Sequence, residues 1–216
     1  MKSKRQIEAL TLLVGLVVSG SNASASVLGI GVGGFGAGTT LINFTGLANG
    51  TEVNGLIVNG VQFNYIVGGS PLNGAVTIDG GPGMTNNIDP PNIVSVGTNT
   101  GILRLMLPNR ASIFGYGYAI LNVTTVSSAT SISLFDGTTP VGTLSYTGAP
   151  DPSFAGGFAG IQSTLAFNRV DITFNSVAAP AFALDNVRFD NAVPEPSSML
   201  LLSAGLAILL WRRGRG

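Results

Sequence analysis

Any chemistry in this chain falls to oxygen and guanidinium, because its 216 residues include no histidine and no cysteine. That removes thiolate nucleophiles, Cys/His zinc sites, the serine–histidine relay and the imidazole general base. Disulfides go with them. Carboxylate pairs and oxygen-liganded metals are what is left. A glycosidase requires two carboxylates about 5–9 Å apart. The acids of the central stretch are Glu52, Asp79, Asp89, Asp136, Asp151, Asp171, Asp185 and Asp190, scattered and without a dense D-x-D run. The composition points away from an enzyme. Between Ser26 and Ala192 these eight acids face four arginines and no lysine, a net charge of −4. An acidic, lysine-free surface does not suit a phosphate backbone, which excludes nucleic acid as the expected partner.

Short β-branched and aromatic runs must position those groups. VQFNYIV (61–67), AVTID (75–79), ILRLML (102–107), SISLFDG (131–137), GTLSYT (142–147), RVDITF (169–174) and NVRF (186–189) read as strands. Alternation is cleanest at 169–174, where Val170, Ile172 and Phe174 share one face and Arg169, Asp171 and Thr173 the other. Asn59-Gly60, Asn73-Gly74 and Asp136-Gly137 are turn pairs, and Pro90-Pro91, Pro108 and Pro150 punctuate further. With no sustained helical period, the expected fold is all-β, an antiparallel two-sheet sandwich of jelly-roll type. It is expected over 39–191. The glycine-rich stretch 26–38 contains near matches to G-x-G-x-x-G but lacks the βαβ context of a dinucleotide site, and reads as a flexible lead.

Both ends are hydrophobic. Residues 1–25 have a basic start, an apolar run from Ala9 to Val18 and a small-residue site at Ala23-Ser24-Ala25. This pattern predicts a signal helix cleaved after Ala25, with Ala23 and Ala25 as the recognised small residues. Residues 192–216 close with VPEPSSMLLLSAGLAILLWRRGRG. A short membrane helix is expected over 198–211. It rises only about 20 Å against a hydrocarbon core of about 30 Å. Its apolar residues supply about −2 to −4 kcal/mol toward insertion. Trp211 suits an interface, and the arginines behind it stay cytoplasmic. Pro194 and Pro196 hold Val193 and Glu195 extended, so that the carboxylate of Glu195 stands on a stiff segment outside the bilayer.

This tail resembles the PEP-CTERM sorting signal, with Val193, Pro194, Glu195 and Pro196 as the tripeptide region and Arg212 and Arg213 as the terminal basic pair. The resemblance implies an exosortase-type processing enzyme as partner and a bacterium that makes extracellular polysaccharide. LINFTGLANGTEVNGLIVNGVQF (41–63), FAGIQSTLAFNRVDITF (158–174) and FALDNVRF (182–189) also resemble the opening and closing strands of PEP-CTERM ectodomains, which are similar in outline to carbohydrate-binding jelly rolls.

Two candidate sites follow. Counting by twos from Val187 and Phe189 places Asp185 on the core face, whereas Phe182 and Leu184 have the opposite parity, so a bulge is expected near Asp185-Asn186. A carboxylate there needs a partner. One candidate is a structural calcium held by Asp185 with Glu52, which the jelly-roll resemblance brings forward. The other is a cap or an ion pair with Arg188 or Arg169. For sugar, Phe114, Tyr116 and Tyr118 recur at period two on one side of a strand. Tyr116 and Tyr118 are the candidate ligand residues, and burial as core is the competing fate.

The expectation is therefore an exported, non-enzymatic protein without a required cofactor, membrane-anchored at least transiently and then placed at the cell surface or in the extracellular polysaccharide or biofilm matrix. The alternatives are a specific carbohydrate-binding module and a plainly anchored periplasmic domain.

Overall fold

The computed structural model describes residues 25–81, 87–95 and 100–192. The signal segment through Ser24 and the tail from Val193, with their expected helices, lie outside the described residues. Twelve strands are seen among those described: β1 (Val27–Gly29), β2 (Thr40–Ile42), β3 (Ile57–Val58), β4 (Val61–Val67), β5 (Ser70–Pro71) and β6 (Val76–Asp79). They continue with β7 (Asn92–Ser95), β8 (Ile102–Ile120), β9 (Val126–Asp136), β10 (Thr139–Pro150), β11 (Ala155–Phe174) and β12 (Phe182–Asn191). All pair antiparallel.

Two long strands organise the sandwich. The first part of β8 pairs with β4, from Gln62↔Met106 to Ile66↔Ile102, while its second part pairs with β12, from Asn191↔Ala111 to Phe182↔Ile120. β11 runs beside β8 throughout. Its C-terminal part pairs on its other side with β9, and its N-terminal part with β1. One hydrogen-bonded sheet is thus folded into two layers. The first is β4–β8–β11–β9–β10, and the second is β6–β7–β12–β8–β11 with β1 and β2.

The fold line passes through irregular backbone. Pairing of β8 with β11 slips between Gln162, Phe167 and Arg169, opposite the stretch from Met106 to Ala111. Pro108 lies there and does not end the strand, contrary to its reading as punctuation. It falls after the β4 ladder has stopped and before the β12 ladder starts, so its missing N–H costs no hydrogen bond.

Alternation then fills the space between the layers. Val61, Phe63 and Tyr65 are buried while Gln62 is exposed, and Val170, Ile172 and Phe174 point inward as the sequence predicts. Phe174 stacks on Phe182 with ring centroids 4.0 Å apart, and Tyr65 meets Phe182 at 6.2 Å. Both contacts join the two layers. Polar groups trapped there are satisfied: the Tyr116 hydroxyl lies 2.6 Å from Thr130 Oγ1, and the Gly101 amide donates to the Tyr65 oxygen at 2.9 Å.

The glycine-rich lead is not a loose arm. β1 adds to β11, Ile30 N–H donates to Gly160 O at 2.8 Å, and Phe35 packs edge-on against Phe158. The expected boundary at residue 39 therefore moves to about Val27. Small residues make this docking possible, because a Cβ on Gly160 would collide with the carbonyl of Ile30.

Phe182 touches both layers and is buried. Phe182→Ala is expected to cost about 3–5 kcal/mol of stability, read as a lower urea midpoint at unchanged slope. A loss under about 1 kcal/mol would mean that the layers do not depend on this stack.

Candidate functional site

The outer faces of the two layers differ. Over the second layer, small residues form a floor of Gly115, Gly117, Ala119 and Ala183, and loop 87–91 crosses it. A Cβ on Gly117 would run into the Asn87 carbonyl. Ile88 of this loop is buried against Ala119 and Ala183, apart from the main core. Asp185, paired with Gly117, points into the same seam. The expected bulge is present, with a register break between Asp185 and Arg188 and Asn186 at φ 52°. It changes the direction of Asp185, however. Phe182, Leu184, Val187 and Phe189 all face the core, so the bulge absorbs the parity difference and the carboxylate faces outward under the loop.

There Asp185 is 0% exposed. Oδ2 accepts the Asp89 amide at 3.0 Å, whereas Oδ1 is buried without a partner among the described residues. Burial pushes the carboxyl up to about 7, two backbone amides and Arg188 oppose the rise, and Asp89 adds to it. Neither anticipated ion pair forms: Arg188 lies over Phe158, and Arg169 sits beside Asp171 on the first layer. Glu52 is occupied elsewhere, accepting from the amides of Asn54 at 3.2 Å and Gly74 at 2.6 Å. No group of three or more acidic side chains able to hold a metal occurs among the described residues.

The tyrosines weighed as candidate ligand residues against burial are core. Tyr116 is 0% and Tyr118 1% exposed, and their rings contact each other at 6.2 Å. Burial pushes the Tyr118 hydroxyl up to about 12 and that of Tyr116 well above its ordinary value. Inward alternation leaves no tyrosine face for stacking on sugar at these positions.

The first layer carries a bare polar face that the sequence did not reveal. Register sets Asn64, Arg104, Asp171, Ser133 and Thr143 in one row across five strands. Arg104 grips Asp171 through two bonds of 2.7 Å. Arg169 lies 3.6 Å from the same carboxylate and 3.8 Å over the Phe135 ring. Ser133 and Thr143 share a hydrogen bond of 2.9 Å, and Ser131 and Ser145 one of 2.7 Å. Only the Arg169/Asp171/Thr173 alternation was visible beforehand, since the partners come from strands far away in the chain.

An apolar cavity of about 120 Å³ lies where loop 151–154 meets β12, bounded by Val94, Ala119, Phe154 and Ala183. Its one side-chain hydroxyl, Ser95, already accepts from the Phe182 amide at 2.9 Å. Such a lining can hold an apolar group but has little to orient one.

These features define an all-β antiparallel sandwich with a C-terminal extension that begins as β12 ends. The extension matches the PEP-CTERM protein-sorting motif over residues 192–215. Its predicted recognition residues, Val193, Pro194, Glu195, Pro196, Arg212 and Arg213, lie outside the described residues, as does Ala23 of the signal site. Among the described residues no helix is long and apolar enough to cross a membrane. No curated protein matches the chain. Similar solved structures include a mutant of the family 29 carbohydrate-binding module CBM29-2, at 10% identity over 73% of this chain and 99% of that one, TM-score 0.40. A further family 29 module gives 11% identity, 70% and 86% coverage and 0.39. The catalytic domain of a GH87 α-1,3-glucanase gives 9% identity, 82% and 30% coverage and 0.36. Scores this low do not establish a common fold, and the two-layer assignment stands on the strand pairing of this chain.

The buried carboxyl sets a pH dependence with a defined sign. Asp185 titrates near 7 in the fold against 3.8 ordinarily, so the folded state binds the proton more tightly. Stability is then greatest below the ordinary value and falls as pH rises toward 7. Asp185→Asn, which cannot ionise, is expected to flatten that slope and to raise stability at pH 8 by about 1–4 kcal/mol, the upper end being the cost of ionising a carboxyl raised from 3.8 to about 7. Urea titrations across pH would show it, and an unchanged slope would assign the dependence to another group.

Proposed function

We propose that the chain is an exported protein, sorted through its C-terminal tail by an exosortase-type enzyme and delivered to the cell surface or extracellular matrix. There the sandwich acts as a non-catalytic structural part in contact with polysaccharide. The observation that carries this reading is the sorting motif, which begins at residue 192 directly after β12.

The way the chain enters and leaves the fold supports it. Ser26 exchanges hydrogen bonds with Thr164, and the Ala192 amide donates to Arg110 O at 2.8 Å. Register places both near the same end of the sandwich, since β11 sets Gln162 opposite Ile113 and β12 sets Asn191 opposite Ala111. A signal segment and a tail leaving from one pole can both reach one membrane without threading around the domain. The first outer face, with hydroxyls and amides from Gln62, Asn64, Ser131, Ser133, Thr143 and Ser145, supports many weak contacts to a hydroxylated polymer. The burial of Tyr116 and Tyr118 disfavours a dedicated sugar-stacking platform.

Changing Pro194, Glu195 and Pro196 together to Ala tests the sorting route. The expected result is a chain that keeps its tail mass and stays in the inner membrane, while the unaltered chain is shortened and leaves it. If both retain an intact tail in the same membrane, the domain is simply anchored in the periplasm.

A further inference from the structure

The borders of the two layers are finished in different ways. β4 is flanked by β3 and β5, of two residues each. Residues 50–53 run along β6, with Gly50 N–H donating to Ile78 O and Ile78 N–H to Thr51 O, both at 2.8 Å. β2 on β12 and β1 on β11 have three residues each. Short flanking segments of this kind offer little open backbone to another chain.

β10 departs from this pattern. It has twelve residues, and one side pairs with β9. Its other side pairs with the β11 backbone only at Ala149 and Pro150, while the Tyr146 hydroxyl donates to Gly160 O at 2.6 Å and Val27 of β1 packs against Gly142. Over 139–147 that side makes no backbone hydrogen bond among the described residues. Charge does not guard the edge either: TPVGTLSYTGAP contains no Lys, Arg, Asp or Glu. In a body of net charge −4, this neutral strip lets two copies approach without setting like charges against each other.

Register breaks at Pro140/Gly142 and Tyr146/Gly148 confine regular pairing to Gly142–Tyr146. That window is self-complementary. Antiparallel pairing about a twofold axis at Leu144 sets Thr143 opposite Ser145 of the second copy, and Gly142 opposite its Tyr146. Within one copy Thr143 already bonds Ser133 and Ser145 bonds Ser131. The twofold continues both hydroxyl ladders across the junction, and such cross-strand hydroxyl pairs are favourable.

We propose that the open edge of β10 is a self-association surface, on which a second copy of this chain pairs antiparallel through Gly142–Tyr146 and joins two first layers into one continuous sheet. The pairing stands whether or not the tail is processed.

The absence of cysteine makes the test direct. Full-length chains carrying Thr143→Cys under one tag and Ser145→Cys under another are mixed in detergent and mildly oxidised. Ser70→Cys, exposed on β5, supplies the background. The expected disulfide joins the two tags, several-fold more often than either variant joins itself or Ser70→Cys does. Ser145→Lys, checked for an unchanged far-UV spectrum, should weaken dimerisation by about tenfold in sedimentation. A monomeric wild type, a disulfide no more frequent than background, or Ser145→Lys assembling like wild type would each overturn the proposal. Cross-linking to a different protein instead of a second copy would overturn it too.

Discussion

The structure depends on two strands belonging to both layers. β8, with 19 residues, and β11, with 20, run side by side through the bend, so neither layer is complete without the other. Folding one sheet along this line brings Phe174 on β11 against Phe182 on β12, and Tyr116 against Thr130 on β9. Each pair joins opposite layers. The bend needs backbone that can leave the ladder without stranding polar groups. Pro108, with no N–H to lose, and the slipped register at Gln162–Arg169 supply it.

Once the sheet is folded, its two outer faces take opposite routes to stability. On the second layer, small residues let backbone come close: loop 87–91 and the N-terminal lead lie on the floor and exclude water from it. Asp185 is the polar consequence of that roof, a carboxyl held between a glycine floor and a backbone amide. The first layer has no comparable cover among the described residues, so it must satisfy its own polar groups. Arg104 pairs with Asp171, Arg169 lies beside the same carboxylate and over the Phe135 ring, and serines and threonines pair across strands. A face whose hydroxyls already pair in this way costs little to leave in water. It also keeps spare hydroxyl capacity for weak, repeated contacts.

Placement of the chain ends gives this architecture its direction. The lead and the tail join the sandwich close together, at the pole marked by Arg110 and Thr164. The apolar cavity and loops 121–125 and 175–181 occupy the other end, tied together by bonds such as Asn122 Nδ2–H to Ala178 O at 2.9 Å. A domain held at the first pole presents its length, including the outer side of β10, to whatever surrounds it.

Local pattern was enough for the fold class. Alternation at 61–67 and 169–174, the positive-φ turn at Asn59-Gly60 and the lack of helical period require half-buried antiparallel strands in any compact arrangement. The sorting tail was equally legible, because three short features in fixed order need no tertiary partner to be recognised. Strand length was not: the reading stopped β8 at Leu107, since a proline ends most strands and only the change of ladder partner at that point removes its cost. The side to which Asp185 points was also hidden. Period-two counting fails at a bulge, and the bulge exists because Asn186 adopts φ 52° within the packed sheet. Tyr116 and Tyr118 could face core or solvent by type alone, and the second layer closing over them decided it. The Arg104–Asp171 pair joins residues 67 positions apart. Such a contact is a property of register, and register is set only when the whole sheet has folded.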